Sequence, residues 1–203
     1  EKISHMAEVH RPQVSIDNKH ERYQQMLAMV KGLEPIPTAV AHPCDKESLK
    51  GPVIAFHEGI IEPILVGPES RIRGVAEEFG IDLHGIRIVN AKHSHDAAAI
   101  AVSLVRTGDA EALMKGSLHT DELMAEVVAR ANGLRTARRI SHVFLMNVPT
   151  YHRPLLITDA AINIAPTLED KVDIVQNAID LAHIIGIPEP KVAILSAVET
   201  VNP

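Results

Sequence analysis

At 203 residues, with 46% apolar and 23% charged residues and a formal net charge of −6, the chain has the composition of a folded globular protein rather than a disordered one. Two Tyr, three Phe and no Trp leave few platforms for stacking nucleobases, and the net negative charge disfavours a nucleic-acid backbone as partner. A single cysteine, Cys44, excludes an internal disulfide framework and a cysteine-rich zinc site, and no apolar run reaches the ~18 residues of a membrane span.

The start, Glu1-Lys2-Ile3-Ser4-His5-Met6, contains Ser-His-Met, a common cloning scar, and shows no basic-then-apolar signal segment. Residues 1–16 are therefore set aside as a tag remnant or linker, and a soluble cytoplasmic protein with no membrane partner is expected. From Asn18 to Lys31 the apolar positions Tyr23, Met26, Leu27 and Val30 have helical spacing, ending at Gly32. Pro37 to His42 reads as a short buried strand. Asp45 to Glu58 reads as a helix that Gly51-Pro52 would interrupt. Pro63 to Val66 is a strand closed by Gly67-Pro68, and Glu69 to Phe79 a helix stopped by Gly80. Ile86 to Val89 is a strand, Ser94 to Arg106 an alanine-rich helix, Ala112 to Met114 a strand and Thr120 to Ala131 a helix.

Two strands then follow without a helix between them, His142 to Met146 and Leu155 to Thr158. Thr167 caps a long helix with Asp170 as its capping-box partner, and Val192 to Leu195 is a last strand. Short Val/Ile/Leu strands alternating with helices mean βαβ units. The expected fold is therefore α/β, a doubly wound, mostly parallel sheet followed by a second, incomplete α/β domain. The rhythm breaks at Met146 to Tyr151, which sets the expected domains at 17–148 and 149–203. The second would hold only strand–helix–strand, too little to close a core, so it looks truncated.

In open α/β sheets ligands bind beyond the carboxyl ends of the strands, so the strand-to-helix loops are the first candidates. Lys115-Gly116-Ser117-Leu118-His119-Thr120-Asp121 offers a positive charge, a glycine for close backbone approach, two hydroxyls and the N–H groups of the next helix. That is an anion cradle; it is equally an ordinary loop with Thr120 as N-cap. No Walker pattern is present, so nucleotide hydrolysis is not indicated. His152-Arg153 and then Thr158 to Asn163 form the second candidate. Arg153 suits bidentate binding of phosphate or carboxylate, or a surface ion pair. Asp159, just after a buried strand, is a base, a metal ligand or a cap for the turn at Asn163. In Asn90 to Asp96, Ser94 reads as an N-cap, and His93 and His95 are too closely spaced to share a helix face as a zinc pair. Cys44 has His42 nearby but no orienting third group, which argues against a catalytic thiol.

Three runs, Leu113 to Thr120, Ile157 to Pro166 and Ala197 to Pro203, with Pro63 to Pro68 and Ser94 to Ala99, resemble the phosphate acetyltransferase/butyryltransferase family. The resemblance covers about His20 to the end. It is nearest the acyltransferase portion of proteins that fuse this domain behind an enoyl-CoA hydratase-like domain. It implies an isocitrate/isopropylmalate dehydrogenase-like two-domain architecture, commonly a homodimer, with phosphate held in an inter-domain cleft. It implies the reaction acyl-CoA plus phosphate giving acyl phosphate plus CoA, with coenzyme A as substrate or product and no metal or redox cofactor. Such a site needs cationic groups and backbone donors for the oxyanion, and a carboxylate base for the thiol.

The resemblance implies substrate binding by Lys115, Gly116, Ser117, His119, Thr120, His152 and Arg153. Lys115, Ser117 and Thr120 would face phosphate or acyl phosphate, and Arg153 a phosphate group of substrate or CoA. Asp159 and Asn163 are the expected catalytic pair, orienting the far wall. The family also carries a Ser-Arg pair and an Asp beyond the point where this chain stops. An Arg expected soon after the loop Thr is replaced here by Leu123-Met124-Ala125. Weak or absent turnover is therefore expected of this stretch alone. Two rivals stand beside this reading. One is a metal- and NAD-dependent 4-hydroxythreonine-4-phosphate dehydrogenase-like enzyme with His119, His152 and Asp159 on one ion. The other is a non-catalytic acyl-CoA- or phosphate-binding module.

Overall fold

The computed structural model describes residues 21–148, 150–151 and 153–195. It holds two compact units, one running Val30–Arg138 and the other taking the described residues from Arg139 onward together with residues 21–29. No helix among the described residues is long and apolar enough to cross a membrane.

In the Val30–Arg138 unit the chain runs β1 (Ile36–Ala41), α2 (Lys46–His57), β2 (Ile61–Gly67), α3 (Glu69–Phe79), β3 (Arg87–Asn90), α4 (Ser94–Thr107), β4 (Ala112–Lys115) and α5 (Thr120–Val127), after α1 (Glu21–Val30). The four strands form one sheet in the order β3-β2-β1-β4, with every neighbouring pair parallel. Strands buried on both faces have no polar side to show, which is why the central ones read as unbroken apolar runs. Ala39, Val40, Ala41, Leu65 and Val66 are fully buried.

Side chains alternate across the sheet. Val40 and Leu65 pack with Leu49 of α2 and with Ile72 and Ala76 of α3. Ala39, Ala41, Ile64 and Val66 pack with Ala97, Ala98 and Ala101 of α4 and with Leu123 of α5. The helices divide between the faces because the chain steps from β1 to β2 to β3 and then returns past β1 to β4. A crossover of constant hand puts the helix on the opposite face when the direction reverses. The alanines of α4 let that helix lie close on the sheet.

Local signals mostly hold. Asp45 caps α2 through a reciprocal capping box with Ser48, and α2 runs straight through Gly51-Pro52 with Pro52 buried. α3 stops at Gly80 in the left-handed conformation, φ +63°. Two predicted caps shift by one residue. His93, not Ser94, is the N-cap of α4, its Nδ1 accepting from the Asp96 N–H at 3.3 Å. His119, not Thr120, is the N-cap of α5. α5 ends at Val127, short of Ala131, because Leu134 and Gly133 donate to the carbonyls of Val127 and Ala129 and fold the chain back.

In the second unit β5 (Val143–Met146) and β6 (Leu155–Thr158) form an antiparallel hairpin, Phe144 opposite Ile157 and Met146 opposite Leu155. α6 (Leu168–Ile184) packs on β6 and begins with the predicted Thr167–Asp170 capping box. Residues 192–195 form no strand, so the expected strand–helix–strand is a hairpin followed by a helix. The division at Arg138–Arg139 precedes β5, and the 148/149 boundary drawn from the sequence rhythm falls in the connection of this hairpin. The reason is the pairing partner. Strands joined without a crossover helix pair antiparallel with each other, so β5 leaves the parallel sheet.

Candidate functional site

The sheet order places a topological switch point between β1 and β4, the neighbours where the chain reverses direction. Loops leaving the carboxyl ends of those strands flank the crevice where such sheets bind ligands. These are residues 42–45 after β1 and residues 116–119 after β4, the second being the Lys115–Thr120 run.

The two loops are tied together residue by residue. Gly116 N–H donates to the Ala41 carbonyl at 2.8 Å and Ser117 N–H to the His42 carbonyl at 2.9 Å. Ser117 Oγ donates to the same His42 carbonyl at 2.9 Å and accepts from the Cys44 N–H at 3.1 Å. Gly116 is required here. A Cβ on it would lie 2.3 Å from the Ala41 oxygen and 2.6 Å from the His42 oxygen, contacts that no side chain tolerates. The glycine thus brings backbone against backbone, where the sequence suggested backbone against ligand. The Ser117 hydroxyl is likewise engaged inside the loop pair.

On the outer side of this junction stand Lys115, His119 and Thr120, all exposed. Lys115 Nζ lies 3.4 Å from the Gly116 carbonyl, which uses one of the three donors of an ammonium group and leaves two for an anion. α5 starts without a side-chain cap hydrogen bond, so the N-cap side chain leaves the first N–H groups of the helix untaken at the end of the loop that begins at Lys115. Asp121 and Glu122 in the first turn already complement the helix dipole. An incoming anion at this end therefore depends on the lysine charge. Cys44, buried against the loop, has its thiol pushed up to about 11, chiefly by burial, with Arg71 opposing and Asp45 adding to the shift. It is a neutral packing group near pH 7 and not a nucleophile.

The second predicted cluster lies in the other unit. Asp159 accepts hydrogen bonds from the backbone N–H groups of His142 (3.2 Å), Ala161 (3.1 Å), Ile162 (3.1 Å) and Asn163 (2.8 Å), and from the Asn163 side-chain amide. Burial alone would raise its pKa. The Asn163 amide and the backbone donors outweigh that and hold it at about 2. A carboxylate so saturated is a weak base, and its geometry is that of the turn cap at Asn163. Asn163 in turn donates to the Ile140 carbonyl at 3.0 Å and accepts from Arg139 Nε at 2.8 Å. Arg153 is exposed, and His152 and the run 197–203 lie outside the described residues.

The structure therefore gathers Lys115 to Thr120 into one junction and Asp159 with Asn163 into another. His42 is passed over in the sequence, where it reads as the end of a strand and a neighbour of Cys44. Its importance comes from the strand order β3-β2-β1-β4 and from a left-handed backbone, φ +56°, neither of which is written in local residue spacing.

The fold and this junction define a class: an α/β protein with a cationic loop at the switch point of a parallel sheet. The family model described as Phosphate acetyl/butaryl transferase matches residues 92–203, and the chain belongs to that family. It is 61% identical over 181 residues to a phosphate acetyltransferase of Rhizobium meliloti, covering 89% of this chain and 57% of the relative. It is 39% identical over 181 residues to a phosphate butyryltransferase of Clostridium acetobutylicum, covering 89% and 60%. Among solved structures, a phosphotransacetylase from Streptococcus pyogenes shares the fold with a TM-score of 0.69 at 20% identity, over 84% of this chain and 59% of that one. The chain thus spans little more than half the length of the relatives it matches. Their names are those of acyltransferases, which sets the dehydrogenase reading aside.

Proposed function

We propose that the protein to which this chain belongs is a phosphate acyltransferase that converts acyl-CoA and phosphate to acyl phosphate and CoA. A phosphate oxygen attacks the thioester carbonyl, the C–S bond breaks, and the thiolate leaves and takes up a proton. Bringing a polyanion to a second, negatively charged substrate is the main obstacle, so a fixed cation and untaken N–H donors supply what the reaction needs. The observation that carries this reading is the exposed Lys115 beside the uncapped start of α5, at the switch point, in a chain of this family.

Lys115, His119 and Thr120 would bind phosphate or acyl phosphate, with Gly116 and Ser117 shaping their loop. Arg153 and His152 would bind a phosphate group of substrate or CoA. Asp159 and Asn163 would hold the 159–163 turn in place, a positioning role that suits a carboxylate already engaged by donors. Acetyl is the favoured acyl group, since the 61% identical relative is named for acetyl and the 39% identical one for butyryl. The reading extends to a cytoplasmic homodimer with isocitrate/isopropylmalate dehydrogenase-like architecture, using no cofactor beyond coenzyme A.

Phosphate-dependent release of CoA thiol from acetyl-, propionyl- and butyryl-CoA tests this directly. Lys115→Ala is expected to raise KM for phosphate by about 10–100-fold, the worth of one charge-assisted hydrogen bond, with a smaller change in KM for acyl-CoA. An unchanged phosphate KM would refute the anion-loop assignment.

A further inference from the structure

His42 sits at the carboxyl end of β1, between the ends of β2 and β4, and is 6% exposed. Its N–H continues the sheet, donating to the Val66 carbonyl at 2.7 Å. At the next bond its backbone turns left-handed, φ +56°, a conformation that costs a residue with a Cβ and persists only where its surroundings require it. The turn directs the His42 carbonyl into the β4–α5 loop, where it accepts from Ser117 N–H, Ser117 Oγ and Cys44 N–H, each at 2.9 Å.

The ring completes the junction. Nδ1 lies 3.3 Å from the Ser117 carbonyl and 3.4 Å from Ser117 Oγ. The carbonyl can only accept, and the Oγ hydrogen is committed to the His42 carbonyl, so the network assigns the proton to Nδ1. In the neutral ring Nε2 is then an acceptor.

We propose that His42 is a positioning residue for phosphate binding, acting through Ser117. The Nδ1–H holds the Ser117 carbonyl while the left-handed backbone holds the Ser117 N–H and hydroxyl. Lys115 and the start of α5 are thereby presented from a loop that cannot drift. This rests on the acyltransferase reading for its kinetic consequence, but the ring assignment stands independently of it.

His42→Asn and His42→Gly separate the contributions. Both residues accept a left-handed φ, and an Asn side-chain amide nitrogen occupies nearly the place of Nδ1, whereas glycine has no donor there. With the full-length protein to which this chain belongs and saturating acetyl-CoA, His42→Gly is expected to raise KM for phosphate about tenfold with kcat less affected, the worth of one hydrogen bond. His42→Asn is expected to stay within about threefold of wild type. A phosphate KM unchanged in His42→Gly overturns the proposal, as does an Asn variant as impaired as the Gly one. Nitrogen-15 NMR of the wild-type ring reads the tautomer without any turnover. A protonated Nδ1 supports the assignment and a proton on Nε2 alone overturns it. Absence of thiol release from the full-length wild type would defeat the acyltransferase reading and with it the phosphate-positioning role of His42, while the NMR result still decides the ring assignment.

Discussion

Each of the two units is stabilised internally by different means. Between Ala39 and Leu123 lie all the buried apolar side chains of the described residues except Ile174 and Ala182. There the sheet is covered by α2 and α3 on one face and by α4 and α5 on the other. The hairpin β5–β6 has α6 on one side only, and its other face shows Phe144, Met146, Leu155 and Ile157 to solvent. What holds this second unit is largely polar. Arg139 N–H donates to Asp173 at 2.7 Å, Asn177 donates to the Arg139 carbonyl at 3.0 Å and Ser141 Oγ at 2.8 Å, and Asp159 gathers the turn that follows β6. Parallel strands are stable only when buried on both faces. An isolated hairpin is marginal and needs whatever ties it can find. The difference predicts where substitutions will be felt.

The largest contrast is expected between Leu65→Ala and Ile157→Ala. Leu65 is fully buried at the centre of β2, and its truncation should cost about 2–5 kcal/mol in denaturant unfolding. Ile157 keeps 43% of its surface exposed, so the same truncation should cost about 1 kcal/mol or less. Equal losses would mean that the hairpin face is covered in solution, and the contrast between the units would disappear. A smaller effect sharpens the same point. Thr167→Ala removes an N-cap with both capping-box bonds present, for about 1 kcal/mol. The loss should appear as faster amide exchange in α6, with the parallel sheet unaffected.

The parallel sheet was legible because its signals are local and repeated: apolar runs, Gly67-Pro68, Gly80, and the alternation of period. The capping box at Thr167 was legible for the same reason. What could not be read were facts of pairing. Nothing in Val143–Met146 says whether its partner is β4 or β6, because a four-residue apolar run looks alike in either sheet. The candidate loop at Lys115 was found from its position after a strand. The consumption of Ser117 and Gly116 by the β1–α2 loop was hidden, since it joins residues more than seventy apart in the chain. His42 was hidden twice, by that distance and by a backbone angle that its residue type only weakly favours.

The smallest effect is also the most local, and it concerns acid. Asp159 has its pKa lowered from 3.8 to about 2: burial opposes the shift, and the Asn163 amide and the N–H groups of Ala161, Ile162 and Asn163 drive it. A group whose folded pKa lies below its unfolded value binds its proton more readily when the turn opens. Its contribution is therefore complete above the unfolded value near 3.8 and is lost as pH falls through about 2. Between those limits the amides of Ala161, Ile162 and Asn163 should gain exchange relative to the intrinsic rate, while those of Val40 and Leu65 keep their protection. Asp159→Asn should abolish that pH dependence, since its amide has no proton to gain in this range and only one oxygen to accept with. If the sheet amides loosen in step with the turn, acid is acting on the whole molecule, and the polar ties of the second unit are not separable from the packing of the first.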